Sequence, residues 1–83
     1  MLVGRIDHMR ELIEYVAREL VDNPEAVWVE KMGRGNTTIY RLHVAREDVG
    51  RVVGRGGRTA NALRALLRAA ATRRAGKVVL EID

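Results

Sequence analysis

The sequence predicts one α+β domain whose elements run helix, strand, strand, helix, helix, strand. Three observations carry that prediction. Apolar residues recur at helical spacing from Ile6 to Leu20, and β-branched and aromatic residues fill two runs between Ala26 and Val44. A glycine-rich turn, Gly54-Arg55-Gly56-Gly57, then separates two helical patterns ahead of a last alternating run. With 83 residues the chain has room for one domain, 1–83, near the size at which a single core suffices, and about 60% of the unfolded surface can be buried on folding.

In the first helix Ile6, Met9, Ile13, Val16 and Leu20 form one amphipathic stripe. Pro24 disfavours helical geometry at Asn23 and lacks an amide hydrogen, so this helix is expected to end near Asp22. Ala26 to Met32 and Thr37 to Val44 read as the strands of a hairpin, with Gly33-Arg34-Gly35-Asn36 supplying residues that tolerate a tight turn. Asn36-Thr37-Thr38 matches a glycosylation sequon by chance, since no secretion signal accompanies it. Ala45 to Val53 reads as a short helix with first-turn acids and Val49, Val52 and Val53 as its buried points. A longer helix follows from about Gly57 to Arg74, with Ala60, Leu63, Leu67 and Ala70 on one stripe. Gly76 stops it, and Lys77 to Ile82 closes the chain as a strand in which Val78, Leu80 and Ile82 alternate with Val79 and Glu81.

Charge divides the chain unevenly. Met1 to Asp48 carries seven Lys or Arg against nine Asp or Glu, whereas Val49 to Leu80 carries eight basic residues and no acid. Such asymmetry is expected of a surface that meets a polyanion, nucleic acid above all, although a solvated helix face gives the same count. Thirteen of the fifteen basic residues are Arg, which suits phosphate and base-plane contacts, but genomic base composition can produce that bias unaided.

The glycine turn has its own chemistry. Gly54 and Gly57 remove β-carbons, so a sugar-phosphate backbone can come close, and the amides that open the following helix carry the positive end of its dipole. Arg55 within the turn and Arg51 and Arg58 beside it add charge-assisted hydrogen bonds to phosphate oxygens.

The element order, with Val52-Val53-Gly54-Arg55-Gly56-Gly57 between a short and a long helix, resembles the type II K-homology (KH) family over essentially the whole chain. The run from Glu47-Asp48 to Arg58-Thr59 is similar to the KhpA-like, stand-alone bacterial members of that family. The resemblance implies a three-stranded mixed sheet with helices packed on one face, and single-stranded RNA binding in the manner of an RNA chaperone or post-transcriptional regulator. It implies RNA contacts from Arg51, Val53, Gly54, Arg55, Gly56, Gly57, Arg58 and Ala60, with the turn clamping about four nucleotides. Val53 and Ala60 fit either the apolar floor of a groove or plain core packing, and Arg41 or His43 are candidates for its rim. Gly56 departs from the basic or polar residue usual at that position and is expected to loosen the turn. Family members also form homodimers and pair with a second, KhpB-like KH-containing protein. Leu66, which lies roughly 100° from the apolar stripe of its helix, is the candidate for such a contact.

Other classes find less support. Tyr15, Trp28 and Tyr40 are the only aromatics, too few for a sheet that reads bases by stacking, and Trp28 and Tyr40 are expected in core or cross-strand packing. Arg64 and Arg68, with Arg73, Arg74 and Lys77 beyond them, extend the basic track or form a solvated face. No Cys is present, His8 and His43 lack zinc-ligand spacing, and the glycines match neither a P-loop nor the dinucleotide fingerprint. Catalysis and a cofactor are therefore not expected. No apolar stretch approaches the ~20 residues of a membrane span, and Met1 to Arg5 lack the apolar region of a signal peptide, so the expected setting is cytoplasmic. The alternative to RNA binding as the main role is a protein-interaction or dimerisation adaptor with weak RNA affinity.

Overall fold

In the computed structural model, which describes residues 8–70 and 76–83, the elements follow the expected order. Ile6, Arg73 and Arg74 lie outside the described residues. Helix α1 (His8–Leu20) buries Met9, Ile13 and Ala17, with Val16 packed partly against them. The small Ala17 belongs to the buried stripe, and Val16 and Leu20, expected there from their spacing, are only half-buried. On the outer side Glu14 lies 3.9 Å from Arg10 and 3.7 Å from Arg18, the i,i+4 pairing that favours a helical surface. The same two arginines reach the edge of the sheet, where Arg10 donates to the Val29 carbonyl at 3.1 Å and Arg18 to that of Val27 at 3.4 Å.

Pro24 begins a single 3₁₀ turn, after which strand β1 (Trp28–Arg34) pairs antiparallel with β2 (Thr37–His43). The hairpin turns on two residues, Gly35 and Asn36, instead of the four expected, and β1 runs on to Arg34. Only Gly35, at φ +60°, has positive φ in the turn, the sign pattern of a type II′ turn, whose twist matches that of the strands. The two-residue loop moves β1 toward the C-terminus, so it starts at Trp28 and not at Ala26.

Strand β3 (Lys77–Ile82) joins β2 in parallel, from Thr37 beside Lys77 to Leu42 beside Ile82, which gives a mixed sheet in the order β1-β2-β3. Gly76 makes the junction possible. At φ +115° a β-carbon there would collide with the Asn36 carbonyl oxygen, the same oxygen that accepts the Lys77 amide at 2.9 Å.

Alternation divides the sheet into two faces. Val29, Tyr40, Leu42, Val78, Leu80 and Ile82 point inward and pack with Met9, Ile13 and Ala17 of α1, Val52 of helix α2 (Val49–Val53), and Leu63 and Leu67 of helix α3 (Arg58–Ala70). Each fully buried Ile or Leu of this set contributes roughly 1.5–3 kcal/mol. Ala70, expected on the α3 stripe, is exposed at the last described turn. The residues of opposite parity, among them Trp28, Ile39, Arg41 and His43, form a face that no helix of the described residues covers.

Between β2 and α2 a 3₁₀ turn, Arg46–Asp48, ends on a fully buried carboxylate. Asp48 accepts the backbone amides of Asp22 and Asn23, each at 3.1 Å, and so fastens the segment after α1 to the start of α2. The sequence suggested only a first-turn acid of a short helix. Its partners lie far away along the chain, which is why the role could not be read there.

Candidate functional site

Helix α2 ends where the Gly54 amide donates to the Gly50 carbonyl at 2.9 Å, and the Gly57 amide then donates to Gly54 at 3.1 Å. Gly54, Gly56 and Gly57 have φ of +80°, +64° and +81°. Three left-handed residues in four fold the chain back sharply between two helices, a path that L side chains resist. At Gly54 the restriction is doubled, because a β-carbon would come within 2.8 Å of the Thr59 backbone nitrogen. Gly56 differs. Nothing lies within 4 Å of its missing β-carbon, and its φ +64°, ψ +19° is the left-handed region that Asn and Asp also tolerate. Glycine at this position therefore serves a defined bend as well as easing motion.

The turn delivers the chain into α3, whose first turn contains no acidic side chain. The positive end of the helix dipole is thus not neutralised from within the helix. Arg55 and Arg58 are exposed and make no ion pair with any described residue. Arg51 is placed otherwise: its guanidinium lies 3.0 Å from Asp22 and 3.6 Å from the buried Asp48, and half of its side chain is exposed. It ties α2 to the end of α1, and much of its charge is balanced there. Val53 is half-buried at the close of α2, whereas Ala60, at 2% exposure, packs into the interior.

A polar seam leads away from the turn. The Asn61 amide nitrogen lies 3.7 Å from the position a β-carbon on Gly57 would take, and Asn61 accepts from Arg64 Nη1 at 3.2 Å. Arg64 Nε in turn donates to the Leu80 carbonyl at 3.4 Å, on the edge strand β3. Asn61 was not among the residues singled out from the sequence. Its i,i+3 spacing from Arg64 was the available signal.

Arg41 and His43 do not join this assembly. Both lie on the open face of the sheet, where Arg41 donates twice to Glu81, at 3.1 and 3.0 Å, and that hydrogen bond raises the pKa of the guanidinium. His43 lies 3.1 Å from Glu30 and 3.0 Å from Asp83, and its ring stacks on its cross-strand partner Trp28 with centroids 4.0 Å apart. Tyr40 is core, as expected, while Trp28 keeps 52% of its surface exposed. Leu66 is 51% exposed on α3, with exposed Ala62, Ala65 and Ala69 around it. Among the described residues no helix is long and apolar enough to cross a membrane.

The family model described as KhpA/KhpB, KH domain matches residues 10–82, the span that holds all of these features apart from the ends of the chain. The chain belongs to this family. Its fold is the type II KH arrangement, and the KhpA/KhpB KH family is not a family of enzymes. Similar proteins include the RNA-binding protein KhpA of Chlamydia trachomatis, 45% identical over 74 residues that cover 89% of this chain and 95% of the relative. Those of Caldanaerobacter subterraneus and Treponema pallidum are 45% and 50% identical, covering 89% and 87% of this chain and 99% and 90% of the relatives. No solved structure gives a significant match. Within the KhpA/KhpB KH domain, the Gly54–Gly57 turn and the start of α3 carry two arginines, Arg55 and Arg58, that make no ion pair with any described residue.

Proposed function

We propose that this chain binds single-stranded RNA, with Gly54, Arg55, Gly56 and Gly57 clamping the sugar-phosphate backbone, and that it acts as a cytoplasmic RNA chaperone or post-transcriptional regulator. One observation carries the reading: two arginines that pair with no described residue, Arg55 and Arg58, flank an acid-free helix start behind a turn of left-handed glycines. Phosphate oxygens satisfy both the amides and the guanidiniums of such a site. The names of the relatives, RNA-binding protein KhpA, point the same way. Arg51 takes part as a brace with a half-exposed guanidinium, and Val53 and Ala60 lie beneath the bases as the apolar support of the groove.

Salt tests the reading. Affinity for a short single-stranded RNA is expected to fall linearly on a log-log plot with a slope of about −0.7 for each phosphate neutralised. Arg58→Ala should weaken binding and make that slope shallower by about 0.7, measured by fluorescence anisotropy from low to high salt. Salt-independent binding, or a slope unmoved by Arg58→Ala, would remove the turn from the site.

A second reading, the adaptor, rests on Leu66 and the small residues around it. Here α3 meets a partner chain, a second copy or a KhpB-like KH protein, through a face away from the glycine turn. Leu66→Arg is expected to abolish that association in a pull-down while RNA affinity stays within about threefold, since no contact with RNA is lost. An unchanged pull-down excludes Leu66.

A further inference from the structure

The polar seam beyond the glycine turn is built of hydrogen-bond donors. Arg64 anchors it, with Nε on the Leu80 carbonyl at 3.4 Å and Nη1 on Asn61 Oδ1 at 3.2 Å. Both of these partners are neutral, and Arg64 makes no ion pair with any described residue. A guanidinium carries five N–H groups, so the brace uses two and leaves three, on a charge that no described carboxylate balances.

Because Arg64 can only donate, the Asn61 side chain turns its oxygen to Arg64, and its NH2 group is the end that lies toward Gly57. The edge of the sheet adds one more donor. The amides of Lys77 and Asp83 point to β2, where the Asn36 and Leu42 carbonyls accept them, so in this parallel strand Leu80 turns both its N–H and its C=O outward. Its carbonyl is engaged by Arg64 and its amide has no backbone acceptor among the described residues.

We infer that this seam reads one base of the bound RNA, and that the base is guanine, through O6 and N7. The inference rests on the RNA-binding reading above, with the sugar-phosphate backbone held at the turn. The Hoogsteen edge of guanine carries two adjacent acceptors and no donor, the pattern with which an arginine fork pairs bidentately. Adenine sets an amino group beside N7, and cytosine presents one at N4. An amino group entering this seam meets acceptors that Arg64 already engages, so it loses its water without regaining a full partner.

Phosphate is the competing acceptor. Arg64 stands about 10 Å along the helix axis from Gly57, at roughly 1.5 Å per residue, beyond the amides and arginines that hold the backbone. There the brace fixes the guanidinium plane against the sheet edge, beside a neutral backbone N–H, which suits the flat edge of a base. A phosphate contact needs charge, which an unbraced surface arginine supplies equally well.

Fluorescence anisotropy with a labelled oligouridylate, in which one central residue is guanosine, adenosine or cytidine, tests the assignment. The unmodified chain should bind the guanosine form about tenfold more tightly than the other two, within the range of one bidentate base contact. Replacing that guanosine by 7-deazaguanosine, which lacks N7, should remove most of the preference. Arg64→Lys keeps the charge without the fork, and should abolish the preference while affinity for plain oligouridylate stays within about threefold.

Equal binding of the three RNAs, a preference for cytidine or adenosine, or a guanosine preference that survives Arg64→Lys overturns the proposal. So does an Arg64→Ala variant that binds every RNA less well by one factor with a salt slope shallower by about 0.7, which gives Arg64 to phosphate. Uniform weakening with a lowered melting temperature and an unmoved slope reduces Arg64 to a brace between α3 and β3, and also overturns it. Equal binding of all three leaves the RNA-binding reading standing, whereas a chain that binds none of them takes both readings down together.

Discussion

Replacing Arg55 and Gly56 together with aspartate is expected to lower affinity for single-stranded RNA by about 100-fold or more and to leave the fold intact. The size follows from the change of charge at the turn, where one cation becomes two anions facing phosphates. Loss of a charge-assisted hydrogen bond costs roughly 1.5–3 kcal/mol before repulsion is added, and every 1.4 kcal/mol is tenfold in affinity. Retention of the fold follows from the geometry. Both residues are exposed, the space around Gly56 is open, and aspartate tolerates its left-handed φ. Anisotropy titrations with a labelled RNA, beside circular dichroism of the same samples, measure both halves. Arg55→Gln/Gly56→Asn keeps the shape without the negative charge and should lie between the two. Binding retained by the aspartate pair at unmodified strength would end the claim that the turn holds RNA.

Asp48→Ala is expected to destabilise the chain by about 3–5 kcal/mol, the range for removing one partner of a buried, hydrogen-bonded charge. The backbone amides of Asp22 and Asn23 lose their acceptor together, and Arg51 loses one of its two carboxylates. In a chain of this length 1 kcal/mol corresponds to roughly 4–8 °C in Tm, so thermal melting should show a fall of well over 10 °C. Asp48→Asn keeps an acceptor oxygen and should cost less than half as much. The alanine variant, where still folded, should also bind RNA more weakly, because α2 carries Val53 into the turn and Asp48 sets where α2 begins. A melting point within 2–3 °C of the unmodified chain, about the shift expected for 0.5 kcal/mol, would show that the two amides find other acceptors.

Much of this architecture is legible in the sequence because it is written in local periodicity. The i,i+3 and i,i+4 spacing from Met9 through Ile13, the alternation around Val78, Leu80 and Ile82, and the glycines at 54 to 57 each report on their own neighbourhood. What stays hidden depends on distant partners. The purpose of Asp48 requires two amides 25 and 26 residues away. Arg51 looks like a free cation until Asp22 is brought beside it, and Arg41 and His43 look like groove residues until strand parity turns them outward. The two-residue hairpin turn escapes because Gly33 and Gly35 are equally good turn formers, and the pairing of Gly33 with Thr38 alone decides between them. For Gly56, composition suggests looseness, whereas a φ of +64° shows a residue suited to one bend.

The parallel pairing of β2 with β3 has a consequence for the order in which the chain acquires structure. Helix α1 and the hairpin can form from contacts close in sequence, but β3 reaches β2 only after residues 44–76 have closed as one long crossover. Closing such a loop costs entropy that is recovered only when the last strand docks, so this step is expected late on the folding path. Every residue of the glycine turn lies inside that crossover. Local opening at β3 therefore releases the C-terminal end of this crossover while its other end stays with the hairpin, and RNA bound as proposed, by holding α2 and α3 together, would slow hydrogen exchange in a strand it need not touch.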